Sequence, residues 1–290
     1  MNEEMVFGKR RAADNGRALV MAIVNRTPDS FYDRGATYAD GAALRAVDQA
    51  VVDGADIVDI GGVKAGPGTE VDTREEVRRV VPFVAEVRRR HPDLIISVDT
   101  WRSTVGRQVC EAGADLLNDS WAGADPDLAR VAADYGVGIV CSHTGGLGPR
   151  TRPHRVTYAD VIDDVVTELC SRAERMAELG VPVEGIIIDP THDFGKNTWH
   201  GLALIRHCDR LVRTGWPVLM SLSHKDFVGE TLGVGLSDRT EGTLAATAVS
   251  AWTGAQVFRA HDVASTRRTL EMVASVAGTR VPSRTVRGLA

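Results

Sequence analysis

Eight apolar runs in this chain each close on a polar side chain that packing alone does not explain. Asn25, Asp59, Asp99, Asn118, His143, Asp189, Ser223 with nearby Lys225, and Arg259 with His261 stand at those ends. A buried, unpaired carboxylate is strongly unfavourable, so acids at the ends of Val- and Ile-rich runs need partners or a ligand. One such Asp or Asn often caps the helix that follows it. Eight in succession are better explained by one shared site. Asp99, Asn118, Asp189 and Lys225 offer carboxylates, an amide and an ammonium. That set matches a flat heterocycle with several ring N–H and C=O groups, held by a few well-placed polar contacts. Arg259 and His261 are two residues apart, so both can face one side of a strand. With Asn25 they would make an anion or diphosphate site, with Mg²⁺ as a bridging ion.

The elements that must position these groups are legible. Apolar runs cover 18–25, 55–62, 93–100, 114–119, 137–143, 184–190, 217–223 and 255–262. Unbroken runs of this length suit strands buried on both faces, hence a parallel sheet. Between them lie amphipathic segments, such as Leu44, Val47, Val51 and Val52, or Val77, Val80, Val81, Val84 and Val87. Further helical patterns run at about 103–112, 125–134, 157–179, 197–213, 239–253 and 263–277. Gly54, Gly113, Gly136, Gly180, Gly215 and Gly254 close helices just before the next strand. Eight strands alternating with eight helices predict an α/β fold, a single-domain (β/α)8 TIM barrel over 18–280. Residues 1–17 and 281–290 read as N- and C-terminal tails. A doubly wound sheet is the alternative, but NRTPDSF after the first run contains no GxGxxG. In a barrel the C-terminal strand ends gather on one face, which would bring the polar residues together.

Composition narrows the class. The 290 residues are 43% hydrophobic and 25% charged, which suits a globular protein with a sizeable core. A net charge of -5 argues against a broad nucleic-acid surface. The N-terminal stretch has no apolar core of a signal peptide, and no run approaches membrane-spanning length. Cys110, Cys141, Cys170 and Cys208 show no metal or redox spacing and read as free thiols of a cytoplasmic protein. The five tryptophans read mainly as packing residues, with Trp121 near the end of its strand as a candidate pocket wall. Arg150, Arg152, His154 and Arg155 form a basic loop after the fifth run, read as solvated.

Several motifs carry a family likeness: Asn25-Arg26-Thr27-Pro28-Asp29-Ser30-Phe31, Asp59-Ile60-Gly61-Gly62, Ser97-Val98-Asp99-Thr100, Asn118-Asp119 and His143, followed by Asp189-Pro190, Phe194-Gly195-Lys196, Ser223-His224-Lys225 and Arg259-Ala260-His261-Asp262-Val263. In this order, over about 20 to 263, they resemble dihydropteroate synthase. That family joins p-aminobenzoate to a dihydropterin diphosphate and releases diphosphate. The resemblance implies that Asp99, Asn118, Asp189 and Lys225 hold the pterin. It implies that Asn25, Arg259 and His261 hold diphosphate and Mg²⁺, and that Ser223 lies near the p-aminobenzoate. Asp59, Lys225 and Arg259 would be the catalytic groups. Asp59 would face the cation that develops as diphosphate leaves. The loop from Thr27 to Phe31 would close over the site and exclude water. The resemblance also implies a homodimer formed through the late helices.

The chain departs from that pattern at the rim. Where the family carries Glu-Ser-Thr-Arg-Pro-Gly, this chain has Val63-Lys64-Ala65-Gly66-Pro67-Gly68. Ala65 and Gly66 remove a hydroxyl and a guanidinium that would order the loop around diphosphate and the second substrate. Lys64 keeps one positive charge, as a flexible point charge rather than a planar fork. After Asp189-Pro190 two glycines of the family become Thr191 and Asp193. A β-branched Thr resists positive φ, and Asp193 adds a carboxylate near Asp189 and Asp99. His224 replaces an arginine, and Arg26 stands where a small apolar residue is usual. Together these changes predict a divergent second homologue of the actinobacterial type, without the usual synthase activity, that keeps a site for a pterin- or arylamine-like small molecule. The alternatives are an active dihydropteroate synthase, another pterin- or folate-related reaction on the same barrel, and a non-enzymatic scaffold or regulatory partner. No nucleic-acid or membrane partner is expected.

Overall fold

The computed structural model describes residues 5–12, 17–27, 39–151 and 156–287. Pro28 to Phe31 of the expected closing loop, and Arg152, His154 and Arg155 of the basic loop, lie outside them. Among the described residues the strands are β1 (Val6–Phe7), β2 (Arg10–Arg11), β3 (Leu19–Asn25), β4 (Ile57–Gly61), β5 (Ile95–Asp99), β6 (Leu116–Asp119), β7 (Gly138–Ser142), β8 (Ile186–Asp189), β9 (Leu219–Met220) and β10 (Val257–Ala260). The helices are α1 (Asp40–Val52), α2 (Thr73–Arg90), α3 (Ser103–Glu111), α4 (Asp127–Tyr135), α5 (Val161–Glu178), α6 (Thr198–Arg206), α7 (Cys208–Val212), α8 (Asp226–Leu232), α9 (Thr240–Thr253) and α10 (Val263–Ala277).

β3 to β10 form one parallel sheet in the spatial order β8-β7-β6-β5-β4-β3-β10-β9. The seam between β8 and β9 is joined by a single bridge, Ile188 to Val218, where Ile188 N–H donates to Pro217 O at 2.9 Å. The sheet therefore closes into the expected (β/α)8 TIM barrel. β9 is only two residues long. Two helical details differ from the periodicity. The 197–213 pattern breaks at His207 into α6 and α7, and α8 is an additional short helix directly after Lys225.

Strand alternation sorts the side chains into two layers. Leu19, Met21, Ile57, Ile95, Leu116, Val140, Ile187, Leu219 and Val257 fill the barrel interior. Val20, Ala22, Val24, Val58, Ile60, Val98, Leu117, Ile139, Cys141, Ile188 and Ala260 face the helices.

The N-terminal tail expected over 1–17 is corrected at 6–11. β1 and β2 pair as a hairpin, with Gly8 at φ +59 in its turn, a conformation that glycine adopts without penalty. Phe7 is fully buried among the interior residues and plugs the floor of the barrel. An open floor of Ile and Leu would meet water, and one aromatic ring removes that contact. Arg10 fastens the hairpin by donating to Asp115 at 2.5 Å and to Pro92 O at 2.6 Å. At the other end, 281–287 is exposed and forms no helix or strand.

Candidate functional site

The interior layer of the barrel continues upward into the polar strand ends. Asn25 shares the parity of Met21, Asp59 that of Ile57, Asp99 that of Ile95, and Asn118 that of Leu116. Asp189 follows Ile187, Ser223 follows Leu219, and Arg259 with His261 follow Val257. All of these point into the mouth. His143 does not: it shares the outward parity of Ile139 and Cys141, and its ring meets Asp164 and Glu168 on α5. Arg26 also faces outward, pairing with Asp40 of α1 and stacking over Phe83 at 4.6 Å. His143 is therefore removed from the shared site, and Arg26 lies outside it as well.

Asp59 is the hub. Its side chain is fully buried and accepts from Ser97 Oγ at 2.6 Å, Asn118 Nδ2 at 3.0 Å and Arg259 Nε at 2.6 Å. Arg259 Nη2 donates to Asp99 at 3.1 Å, and Ser120 Oγ donates to the other oxygen of Asp99 at 2.7 Å. Burial pushes the Asp99 carboxyl up to about 6, against the pull of Arg259. Burial acts to lower Arg259, yet Asp59 and Asp99 outweigh it and hold the guanidinium firmly charged. This revises the expected division of labour. The resemblance assigns Arg259 to an anion, but here it binds two carboxylates of the chain itself.

On the opposite side of the mouth, Asp189 accepts from Thr191 N–H at 2.7 Å and Ser221 Oγ at 3.2 Å, and burial raises its pKa. Lys225 Nζ lies 4.7 Å from the centre of the Phe194 ring. Burial lowers the Lys225 pKa, while Asp193 favours its charged form. Ser223 Oγ and His261 Nδ1 are 2.9 Å apart. Burial, then the nearby Arg259, holds His261 well below the usual imidazole range, so its ring is neutral. The expected anion site thus consists of a neutral imidazole, the amide of Asn25 and a guanidinium already paired with carboxylates.

The altered turn after β8 runs through backbone conformations that favour glycine. Thr191 has φ 51 and Asp193 φ 68, both in the left-handed region that disfavours side chains with a Cβ. Lys196 holds the turn. Its ammonium is buried and donates to His143 O at 2.8 Å, Phe194 O at 3.0 Å and Thr191 O at 3.3 Å. Burial pushes Lys196 down to about 7. Asp193 Oδ2 accepts from Asp226 N–H at 2.6 Å, tying the turn to the start of α8. His224, also at φ 54, turns its Nδ1 towards Leu236 O at 3.3 Å, with its ring centre 5.9 Å from that of His261.

The altered loop after β4 is held from outside. Arg79 of α2 donates to Gly62 O at 3.0 Å. Arg150 reaches across from the loop after β7 and donates to Thr69 O at 2.9 Å and Gly66 O at 3.3 Å. Lys64 forms no ion pair among the described residues. Arg150 is thus a strap across the rim rather than a solvated loop residue.

Ser97, Ser120, Ser221, Phe194 and Lys196 belong to the site, although their chemistry alone does not single them out. The alternation within SVD and SLS, read against the barrel axis, is the signal that finds Ser97 and Ser221. Trp121 is buried with its ring edge-on to Phe194 at 4.9 Å, so it backs the Phe194 wall.

Comparison with known proteins agrees with this geometry. The profile of the pterin binding enzyme family matches residues 21–261. A Mycobacterium leprae protein named inactive dihydropteroate synthase 2 is 62% identical over 99% of this chain and 100% of its own length. A Streptococcus pyogenes dihydropteroate synthase is 36% identical over 86% of this chain and 92% of its own. The crystal structure of Yersinia pestis dihydropteroate synthase with a sulfonamide drug superposes with a TM-score of 0.89. It is 32% identical and covers 96% of this chain and 100% of that one. By sequence, fold and the arrangement of its strand-end polar groups, the chain belongs to the dihydropteroate synthase family of pterin-binding enzymes.

Proposed function

We propose that this protein binds a pterin-type heterocycle but has lost the condensation that forms dihydropteroate. The observation that carries this reading is the state of the anion side of the mouth. Gly66 supplies no guanidinium, and Arg259 is committed to Asp59 and Asp99. In the family reaction the bond between the pterin methylene and diphosphate breaks, and both electrons leave with diphosphate. The amine then bonds to that carbon and gives up a proton. Departure of so charged a group needs positive groups preorganised around it. The heterocycle side, with Asp99, Asn118, Asp189 and Lys225, is retained. The name of the Mycobacterium leprae relative supports the loss of activity, and the Yersinia pestis sulfonamide complex supports binding of an arylamine-type ligand, which the resemblance puts near Ser223.

Mg²⁺ fits this site only in company with a diphosphate. Asn25 offers one amide oxygen, and Asp59 is already neutralised by Arg259. Mg²⁺ usually requires carboxylates or substrate phosphates beside its waters. When bound it would neutralise the diphosphate, with Asn25 holding it at the rim.

Thermal unfolding tests the binding half. A pterin at about a hundredfold excess over its Kd should raise the melting temperature by about 5 °C. The dihydropterin diphosphate ester should bind no more tightly than the free hydroxymethyl pterin. An assay in which an authentic synthase works should give no dihydropteroate. Product formation would establish the active-synthase alternative, and the absence of any pterin shift would reject retained binding.

The homodimer belongs to the same proposal. Val249 and Trp252 on α9, with Met272 and Val276 on α10, expose 51%, 63%, 65% and 61% of their surface. α9 and α10 pack on each other, so their exposed faces form one apolar patch suited to a second copy of the chain. Trp252→Asp should shift sedimentation from dimer to monomer with the thermal unfolding of the barrel otherwise retained. A monomeric wild type would reject this face as the interface. No helix among the described residues is long and apolar enough to cross a membrane. Four unpaired cysteines suit the reducing cytoplasm.

A further inference from the structure

His143 does not serve the mouth of the barrel, and its outward position creates a second constellation. The imidazole is fully buried at the end of β7, with Nε2 2.8 Å from Asp164 Oδ1 and 3.2 Å from Glu168 Oε2. Asp164 and Glu168 are four residues apart on α5, so both carboxylates leave the same helix face. The three candidate ligand atoms lie within 4.8 Å of one another. Arg172 Nη2 donates to the other oxygen of Glu168 at 2.7 Å and fixes that carboxylate. An open cleft of about 660 Å³, lined by Asp160, Asp163, Asp164, Thr167, Glu168 and Arg172, runs along this helix and opens the two carboxylates to solvent.

We propose that His143, Asp164 and Glu168 bind one first-row divalent transition-metal ion, with water from the cleft completing its shell. One imidazole and two carboxylates, without thiolates, suit Zn²⁺, Co²⁺ or Mn²⁺. Two ligands at about 2.0–2.1 Å from a tetrahedral ion stand about 3.3 Å apart. Glu168 already has nearly that spacing from His143. Asp164 must open by about half an ångström, and its side chain is 49% exposed and able to do so. Arg172 is a ready outer partner that orients Glu168, as carboxylate ligands commonly require. The site lies outside the barrel and shares no ligand with the pterin pocket. It still touches the pocket through the backbone. His143 N–H donates to Asp189 O and Thr191 Oγ1, each at 3.2 Å, and His143 O accepts from Lys196. An ion gripping His143 would therefore brace the Thr191–Phe194 turn from behind.

Co²⁺ is the probe. Chelator-treated full-length protein should bind it at one equivalent, with visible absorption typical of four- or five-coordination, and Zn²⁺ should displace it. Asp164→Asn and Glu168→Gln, both on the exposed side of the site, should each weaken Co²⁺ binding by tenfold or more while the apo proteins unfold like the wild type. His143→Gln is the less secure variant because its ring is buried, so the two carboxylate variants decide the question. Absence of stoichiometric binding would overturn the proposal, leaving His143 simply hydrogen-bonded to two carboxylates. Binding unchanged by both variants, or a thiolate-to-cobalt charge-transfer band, would place the ion elsewhere and overturn it equally.

Discussion

Replacing the loop after β4 by Val63→Glu, Lys64→Ser, Ala65→Thr and Gly66→Arg together is expected to bring dihydropteroate formation above the detection limit. A lost charge-assisted contact is worth about 1.5–3 kcal/mol. Placed at the leaving group, that is roughly a tenfold to hundredfold change in rate. The backbone accepts the change. Gly66 is not in the left-handed region, and nothing lies within 4 Å of the position its Cβ would take. A long side chain there meets open space rather than the core. The loop is also already docked by Arg79 and Arg150, so the new guanidinium would be carried on an anchored segment. The measurement is product formed from dihydropterin diphosphate and p-aminobenzoate, wild type against the fourfold variant. If the variant stays silent, the loop is not the seat of the loss. Thr191→Gly with Asp193→Gly, added to the same background, then tests the turn.

The structure changes what those two turn residues mean. From sequence, Thr191 and Asp193 suggest a turn that can no longer take the backbone path of its glycine counterpart. Both residues nonetheless sit in the left-handed region, at φ 51 and 68. A left-handed non-glycine residue costs about 1–2 kcal/mol, and specific contacts must offset that. They are visible: Lys196 bridges three carbonyls, Thr191 Oγ1 donates to Asp189 O, and Asp193 accepts from the start of α8. The turn on the pterin side is therefore ordered by its own contacts, whereas Gly66 leaves the diphosphate side without a guanidinium. This contrast favours retained heterocycle binding without turnover.

Barrel and family can be read from the chain because each strand is a continuous apolar run with a polar residue at its end. Which of those ends share a site depends on parity, and parity is set by where each strand enters the sheet. His143 closes an apolar run just as Asp59 does, yet lies one residue out of phase with the interior layer. The partner of Arg259 is also beyond the reach of sequence. An arginine on the last strand can meet an anion or a carboxylate, and only three-dimensional proximity to β4 and β5 decides between them. The floor plug at Phe7 carries a weak signal, a short apolar pair before Gly8, too brief to stand apart from a polar tail. Arg150, one cation among several in a loop, gives no sign that it straps the altered rim.

Arg259→Met is expected to be the most destabilising change in the mouth. It would leave Asp59, whose side chain is wholly buried, and the largely buried Asp99 without their shared cation. Removing one partner of a buried ion pair costs about 3–5 kcal/mol, because the remaining charge is uncompensated. For a chain of this size that lowers the melting temperature by about 5–8 °C. The hydrogen bonds from Ser97 and Asn118 would persist but cannot neutralise Asp59. A second substitution separates charge from packing. Asp59→Asn in the Arg259→Met background removes the stranded carboxylate at nearly constant volume and should recover at least half of the lost stability. Asp59→Asn alone should cost less than Arg259→Met, since Asp99 still partners the guanidinium. The double-mutant cycle, followed by chemical denaturation, should thus show a coupling of about 2 kcal/mol or more. A coupling near zero would mean that Arg259 is not committed to Asp59 in solution. The guanidinium would then be available to an anionic ligand, and the diphosphate ester should bind more tightly than the free hydroxymethyl pterin. The stability cycle and the ligand preference therefore test one claim from two sides: the chain's own carboxylates occupy the Arg259 guanidinium.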